Sequence, residues 1–240
     1  VLVPEGSLLN PSPPGAVVGG NVETSQRVTD VVLTALADAA PERVPAQGQG
    51  TMNNLTIGSR TGGDGGFTYY ETIGGGFGGR ATGDGMDGVQ VGMTNTLNTP
   101  IEALEAEYPM VVEEYSLREN SGGRGRYRGG LGLVRSVTVE TDATVSLLTE
   151  RRRVAPKGVA GGEDGEVGKN VVRAPDLSDD GDESESVGDE DAFVVGSKVT
   201  RDVPAGTTVT IYTPGGGGYG DPVRRAREAI ERDRADEKME

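Results

Sequence analysis

The sequence predicts an α+β fold: β-rich mixed sheets with a few helices and many glycine-rich turns. Three observations lead there. Glycine supplies 40 of the 240 residues, while only 34% are hydrophobic and 4% aromatic, a loop-rich and β-leaning balance. From Thr51 onward the apolar residues fall in short runs between glycine clusters, the pattern of strands joined by turns. Helical periodicity is confined to a few stretches. The length suits one large domain or two small ones, and is enough to bury a real core.

Taken in order, "VLVPEG" reads as a strand running into a turn, and "NPSPPG" as a proline-fixed linker. "ETSQRVTDVVLTALADAA" has the helix period, with Val28, Val31, Val32, Ala35, Leu36 and Ala39 on one face. Thr24 or Ser25 can cap its start, and Pro41 lies beyond its end. "NNLTIGSR", "GFTYYETI" and "GVQVGMTN" read as short strands. "TPIEALEAE" allows two helical turns, with Thr99 as N-cap and Glu102 completing a capping box. "MVVEEYSLRE" is a further strand. "GGLGLVRSVTVETDATVSLLTERR" reads as two strands meeting near "ETDA" as a hairpin. "AFVVGSKVT" and "TVTIYT" are expected to be the last two strands. The acidic run "DLSDDGDESESVGDED" cannot fill a core, and belongs to a flexible insertion expected at about 163–191. It lacks the ordered ligand spacing of a calcium loop. Residues 1–222 thus form the main unit, followed by a polar helix or tail over 223–240, started by Asp221 as N-cap and Pro222 at N1.

The formal charge of −15 repels nucleic acid and anionic membranes and points away from both as partners. Adaptation to a salty, halophilic cytoplasm explains the acidity, with binding of basic partners as the alternative. No signal peptide or membrane helix is visible, so the cytoplasm is the default location. With no cysteine and no histidine, the chain alone can build neither a Ser-His-Asp triad nor a thiolate or imidazole metal site.

Glycine spacings need weighing. Gly215, Gly217 and Gly220 fit G-x-G-x-x-G after a strand, but the chain ends before a second parallel strand, and the following helix is polar nearly all round. A glycine-built turn closing the domain is the better reading there. Gly74, Gly76 and Gly79 repeat the spacing with no helix after them; a phosphate or substrate loop and a packed turn both remain open. "SGGRGRYRGGLG" has an RGG look, yet the acidity argues against RNA.

Five stretches taken together carry a resemblance: "VPEGSLLNPSPPGAV", "RVTDVVLTALADAAPERVPA", "YETIGGGFGGRATGDGMDGV", "TNTLNTPIEALEAEYPMVVEEYSLRENSGGRGRYRGGLGL" and "TPGGGGYGDP". In this order they resemble the hydantoinase B/oxoprolinase family, across nearly all of the chain except the acidic run and the last helix. The resemblance implies a subunit of an ATP-dependent enzyme that hydrolyses a cyclic amide such as N-methylhydantoin or 5-oxoproline. Related complexes carboxylate ketones. It implies a hydantoinase A-like partner that uses ATP and Mg to phosphorylate the substrate carbonyl oxygen, leaving the B subunit to complete the reaction. It further implies that this chain matches the C-terminal half, and that a histidine- and aspartate-rich half with a divalent metal site precedes it. Gln90 stands where many relatives carry histidine. Alone the chain is expected to be inactive, and a non-catalytic remnant of a split gene is the alternative. A stand-alone nucleotide binder is a third reading.

Within this half, polar groups at the glycine-rich turns are the site candidates. Asp84, Asp87 and Asn95 are expected to be catalytic, and Glu71, Gly76, Gly78, Asn98, Arg124 and Arg128 to bind substrate; no metal ligand is expected here. Asn95, Asn98 and Thr99 could instead cap the "PIEALE" helix, and Glu102 and Glu105 could be capping and surface groups. Arg118, Arg124 and Arg128 could hold a carboxylate or phosphate, or serve in structural ion pairs.

Overall fold

The computed structural model describes residues 2–60, 66–175, 185–187 and 189–239. Most of the acidic run (176–184) lies outside them. The expected insertion begins too early, however: residues 163–168 hydrogen-bond into the body of the protein, and a strand follows at Lys169–Arg173.

Two antiparallel sheets share one core, as the α+β reading expects. The smaller holds β1 (Asn54–Ser59), β2 (Thr68–Glu71), β5 (Ala143–Leu148) and β9 (Lys198–Val203) in the order β2-β1-β5-β9. The larger orders β3 (Met110–Arg118), β4 (Gly132–Val139), β10 (Thr208–Tyr212), β6 (Lys169–Arg173), β8 (Asp189–Val195) and β7 (Glu185–Val187) as β3-β4-β10-β6-β8-β7. Alternation along the strands sends Leu55, Ile57, Val145 and Leu147 from one sheet, and Leu133, Val137, Val209 and Ile211 from the other, into a single cluster. The opposite faces carry cross-strand hydroxyl pairs such as Ser136–Thr210 and Ser146–Thr200.

Five sequence expectations are corrected. β4 and β5 are not a hairpin: β4 pairs with β3 and β10, β5 with β1 and β9, and the chain crosses between sheets at Glu140–Asp142. Val139 and Ala143, on either side of that crossing, are both fully buried, so the bend serves the shared core rather than a local pairing. Residues 2–6 of "VLVPEG" form no strand, and "GVQVGMTN" contributes only a single bridge, Gly75 to Val89. The last strand region holds three strands, β8, β9 and β10. Helix α2 (Ile101–Glu107) follows Pro100 with no side-chain cap, so neither Thr99 nor a capping box starts it.

Helix α1 (Val18–Ala37) begins earlier than Thr24 and sits with its polar face inward. Glu23, Gln26 and Asp30 are buried, whereas Val28, Val31, Val32 and Leu36 are exposed. The cause is what lies beneath. Glu23 accepts from the Met52 amide (3.0 Å) and the Asn54 side chain (2.7 Å). Gln26 donates to the Val91 carbonyl (2.9 Å), and Asp30 pairs with Arg151 (2.7 Å). Irregular backbone presents polar groups that must be satisfied, so here it recruits the polar stripe.

That irregular region is the second organising feature. Five extended stretches, around residues 45–49, 75–79, 122–130, 156–166 and 214–219, lie side by side and hydrogen-bond segment to segment. Gly79 donates to Gly217 (2.8 Å), Gly217 to Gln47 (2.8 Å), Gly216 to Gly130 (2.9 Å), Gly123 to Gly216 (2.8 Å) and Gly218 to Glu163 (2.8 Å). A β-carbon at Gly78 would overlap the Ala46 carbonyl, and one at Gly129 the Gly216 carbonyl. Glycine is required because backbones pack directly on backbones. "TPGGGGYGDP" is therefore an extended rod through this bundle rather than a closing turn.

Beyond the rod, Asp221 accepts from the Val223 amide (3.0 Å) and Pro222 opens a short 3-10 turn, Pro222–Arg224. The polar helix itself, α3 (Arg227–Ala235), starts later and folds back onto the glycine bundle. Among the described residues no helix is long and apolar enough to cross a membrane.

Candidate functional site

Two polar centres stand out from this framework. The first lies where the two sheets meet. Arg135 sits on the core-facing side of β4, fully buried, and pairs with Glu71 at the end of β2. Nε donates to Oε1 at 3.0 Å and Nη2 to Oε2 at 3.4 Å. The same Oε2 accepts from the Tyr69 hydroxyl and the Asn98 amide, both at 2.9 Å. Asn98 also donates to the Thr72 carbonyl (2.9 Å) and accepts from the Tyr115 hydroxyl (3.2 Å). The Tyr115 ring stacks under Arg135, 4.8 Å from guanidinium carbon to ring centre. Burial, reinforced by the Glu71 charge, pushes the Tyr69 hydroxyl up to about 12, and burial raises Tyr115 as well. Both phenols are thus donors held neutral. Glu71 is a saturated acceptor, suited to orienting its neighbours rather than removing a proton.

The second centre lies between the glycine bundle and α3. Asp84 accepts from Arg225 (2.8 and 2.9 Å) and from the Arg128 amide (2.9 Å). Asp87 grips the Arg128 guanidinium through two bonds, 2.6 and 3.0 Å, and accepts from the Leu131 amide at 2.9 Å. Asp233 of α3 bridges Arg128 and Arg225. Burial by itself would raise both aspartates, but bonds from Arg225 to Asp84 and from Arg128 to Asp87 outweigh it and hold both below their ordinary range. Carboxylates so placed are structural anchors and poor bases.

Because the folded-state pKa values are depressed, this contribution to stability is present above the ordinary aspartate value of 3.8 and is lost as pH falls through the lower folded values. Asp87→Asn is expected to cost about 1–3 kcal/mol at neutral pH and to flatten the acid limb of the stability curve. Thermal unfolding followed from neutral pH into acid tests this; a variant whose acid limb matches the parent refutes it.

A cleft of about 230 Å³ opens beside this knot, lined among others by Arg124, Arg128, Arg225, Ile230, Arg234 and Met239. Arg124 and Arg234 are exposed and pair with no acid among the described residues. The cleft therefore offers free guanidinium donors next to apolar surface, an arrangement that accepts an organic anion.

The other candidates are dispersed. Gly76 and Gly78 are buried inside the bundle, packed on Gly130, Gly216 and Ala46 backbone, which leaves a ligand no approach. Asn95 is exposed in the loop before α2. Arg118 spends its Nη1 on the carbonyls of Val167 (2.7 Å) and Thr213 (3.2 Å). Glu105 accepts from the Val112 amide (2.8 Å), and Gln90 donates to the Thr72 carbonyl (3.3 Å). Arg135, Tyr69 and Tyr115 were not anticipated, although an arginine in the apolar run "GLVRSVTV" at a core-facing step was a usable signal. Arg225 and Asp233 were hidden in a helix that reads as wholly solvated. Among the described residues no cluster of three or more acidic side chains could hold a metal ion.

Compared with known protein families, residues 1–222 match hydantoinase B/oxoprolinase. The chain belongs to this family. An uncharacterized protein of Methanocaldococcus jannaschii is 46% identical over 239 residues, covering 100% of this chain and 39% of the relative. Arabidopsis thaliana 5-oxoprolinase 1 is 45% identical over 223 residues, 93% of this chain and 16% of the relative. The solved structure of the ATP-dependent caprolactamase from Pseudomonas jessenii superposes with a TM-score of 0.78 at 27% identity, covering 100% of this chain and 41% of that one. This hydantoinase B/oxoprolinase chain thus spans well under half the length of the relatives it matches.

Proposed function

We propose that the chain is the portion of a hydantoinase B-type polypeptide that binds and orients an activated cyclic amide, within an ATP-dependent hydrolase completed by the rest of that polypeptide and a hydantoinase A-like ATPase. The end-to-end likeness to an ATP-dependent caprolactamase carries this reading. An amide carbonyl is a poor electrophile. Phosphorylation of its oxygen by the partner, using ATP and magnesium, turns that oxygen into a leaving group and makes the intermediate anionic. The cleft at Arg124 and Arg234, with Arg128 in its lining, is suited to such an anion.

One observation favours a second reading, a non-catalytic module. Asp84 and Asp87 are consumed by Arg225 and Arg128, so the groups that move protons would come from the remainder of the enzyme. The two readings part in one assay. The chain is co-purified with the remaining B polypeptide and the ATPase, and ATP hydrolysis dependent on a cyclic amide is followed. Arg124→Ala with Arg234→Ala is expected to raise KM about tenfold or more, the loss of one charged hydrogen bond or two. An unchanged KM assigns binding elsewhere. Full activity without this chain leaves it no part in the reaction.

A further inference from the structure

We propose that the outward face of α1, with the arm that precedes it, is the surface on which the rest of the hydantoinase B polypeptide docks. The inference rests on family membership and not on the substrate or the reaction.

Residues 28, 31, 32, 35 and 36 form an apolar seam at helical spacing along the outside of α1, and Ala39 follows just beyond its end. Val31 is 61% exposed and Leu36 51%, in a helix whose inner face is glutamate, glutamine and aspartate. An amphipathic helix on a finished surface shows the reverse arrangement. The arm behaves alike. Leu2 and Leu8 are 101% and 79% exposed, and every hydrogen bond described for residues 2–16 stays within the arm. Polar satisfaction fixes α1 in place, so it cannot roll over to hide the seam: Glu23, Gln26 and Asp30 are each tied to the body.

The occupant follows from length. The chain aligns end to end with relatives of which it makes up 39% and 41%, so most of such a polypeptide lies outside it. Both uncovered features sit within the first forty residues, on one continuous stretch of chain. A second copy would also cover a seam, and the test below separates the two occupants.

The test uses the chain together with the portion of the Methanocaldococcus jannaschii relative outside the match, co-expressed and analysed by sedimentation without ATP or substrate. A one-to-one complex is expected. Val31→Asp combined with Leu36→Asp should weaken it at least tenfold, while Val223→Asp, at a 90% exposed position near α3, leaves it unchanged. The double variant alone should melt within about 2 °C of the parent, since its side chains already face water. Absence of a complex, or one indifferent to the double variant, overturns the proposal. So does a dimer of the chain alone that the double variant dissociates, which makes a second copy the occupant. Intact association with no ATPase coupling would sink the catalytic reading and leave this one standing.

Discussion

Gly76→Ala is expected to deprive the chain of a stable native state. The added methyl would overlap the Gly130 carbonyl oxygen and the Gly216 nitrogen, both backbone atoms. Neither can retreat. Gly216 donates to Gly130 at 2.9 Å, Gly130 to Phe77 at 2.8 Å, Gly76 to Pro214 at 3.0 Å, and Gln49 to Gly76 at 2.8 Å. Relief would break several of these bonds at once. Overpacking ordinarily costs about 1–3 kcal/mol by letting side chains shift. Here none is available to shift, so the cost should exceed about 3 kcal/mol, a large share of a typical domain's ~5–15 kcal/mol. Gly83→Ala is the control: its new methyl would meet only the end of the Arg80 side chain, at 3.9 Å. Melting temperature and soluble yield report both. A Gly76→Ala protein that melts within a few degrees of the parent would falsify the rigid-bundle account.

The second large effect is expected at the sheet junction. Glu71→Ala leaves the Arg135 guanidinium buried with no counter-ion, and strips an acceptor from Tyr69 and Asn98. Breaking a buried pair from one side costs about 3–5 kcal/mol. Removing both charges, with Glu71→Leu and Arg135→Met, should recover at least half of that, because the dominant penalty is the orphaned charge rather than the lost attraction. Urea unfolding of Glu71→Leu, of Arg135→Met and of the double variant closes the cycle. Losses that simply add would show that the two residues are not coupled.

Both effects involve features of unequal legibility. The strands were readable because alternation along "NNLTIGS" or "TVTIY" is a local property. Their partners were not, since β4 and β5 look like a hairpin until the core requires them in different sheets. For α1 the period was visible but the direction was not. Amphipathicity identifies two faces; which one turns inward depends on what waits there, and here it was unsatisfied backbone. The glycine clusters were conspicuous singly, as turns or loops, and only their mutual contact makes them a bundle. Among candidate site residues, Glu71, Asn98, Asp84, Asp87 and Arg128 were all picked out as polar groups beside glycine. Sequence could not tell that the first two join one network and the last three another, because Arg135, Arg225 and Asp233 arrive from far along the chain.

The glycine bundle also bears on how the chain reaches its native state. Gln47 and Gly217 bond across about 170 residues of chain, and the intervening stretches at 76–79, 122–130 and 157–165 must arrive as well. These segments are mostly glycine and polar residues, with Phe77, Tyr127, Val159 and Tyr219 as their few large apolar side chains, and their glycines begin with the widest conformational freedom a backbone can have. Assembly must wait until the sheets have drawn the five segments together, so closing such long loops falls late in folding and slows it. Until that moment the exposed glycine stretches are open to proteases and to pairing with the wrong chain. The bundle that leaves a methyl group no room at Gly76 is, by the same geometry, the last part of the molecule to exist.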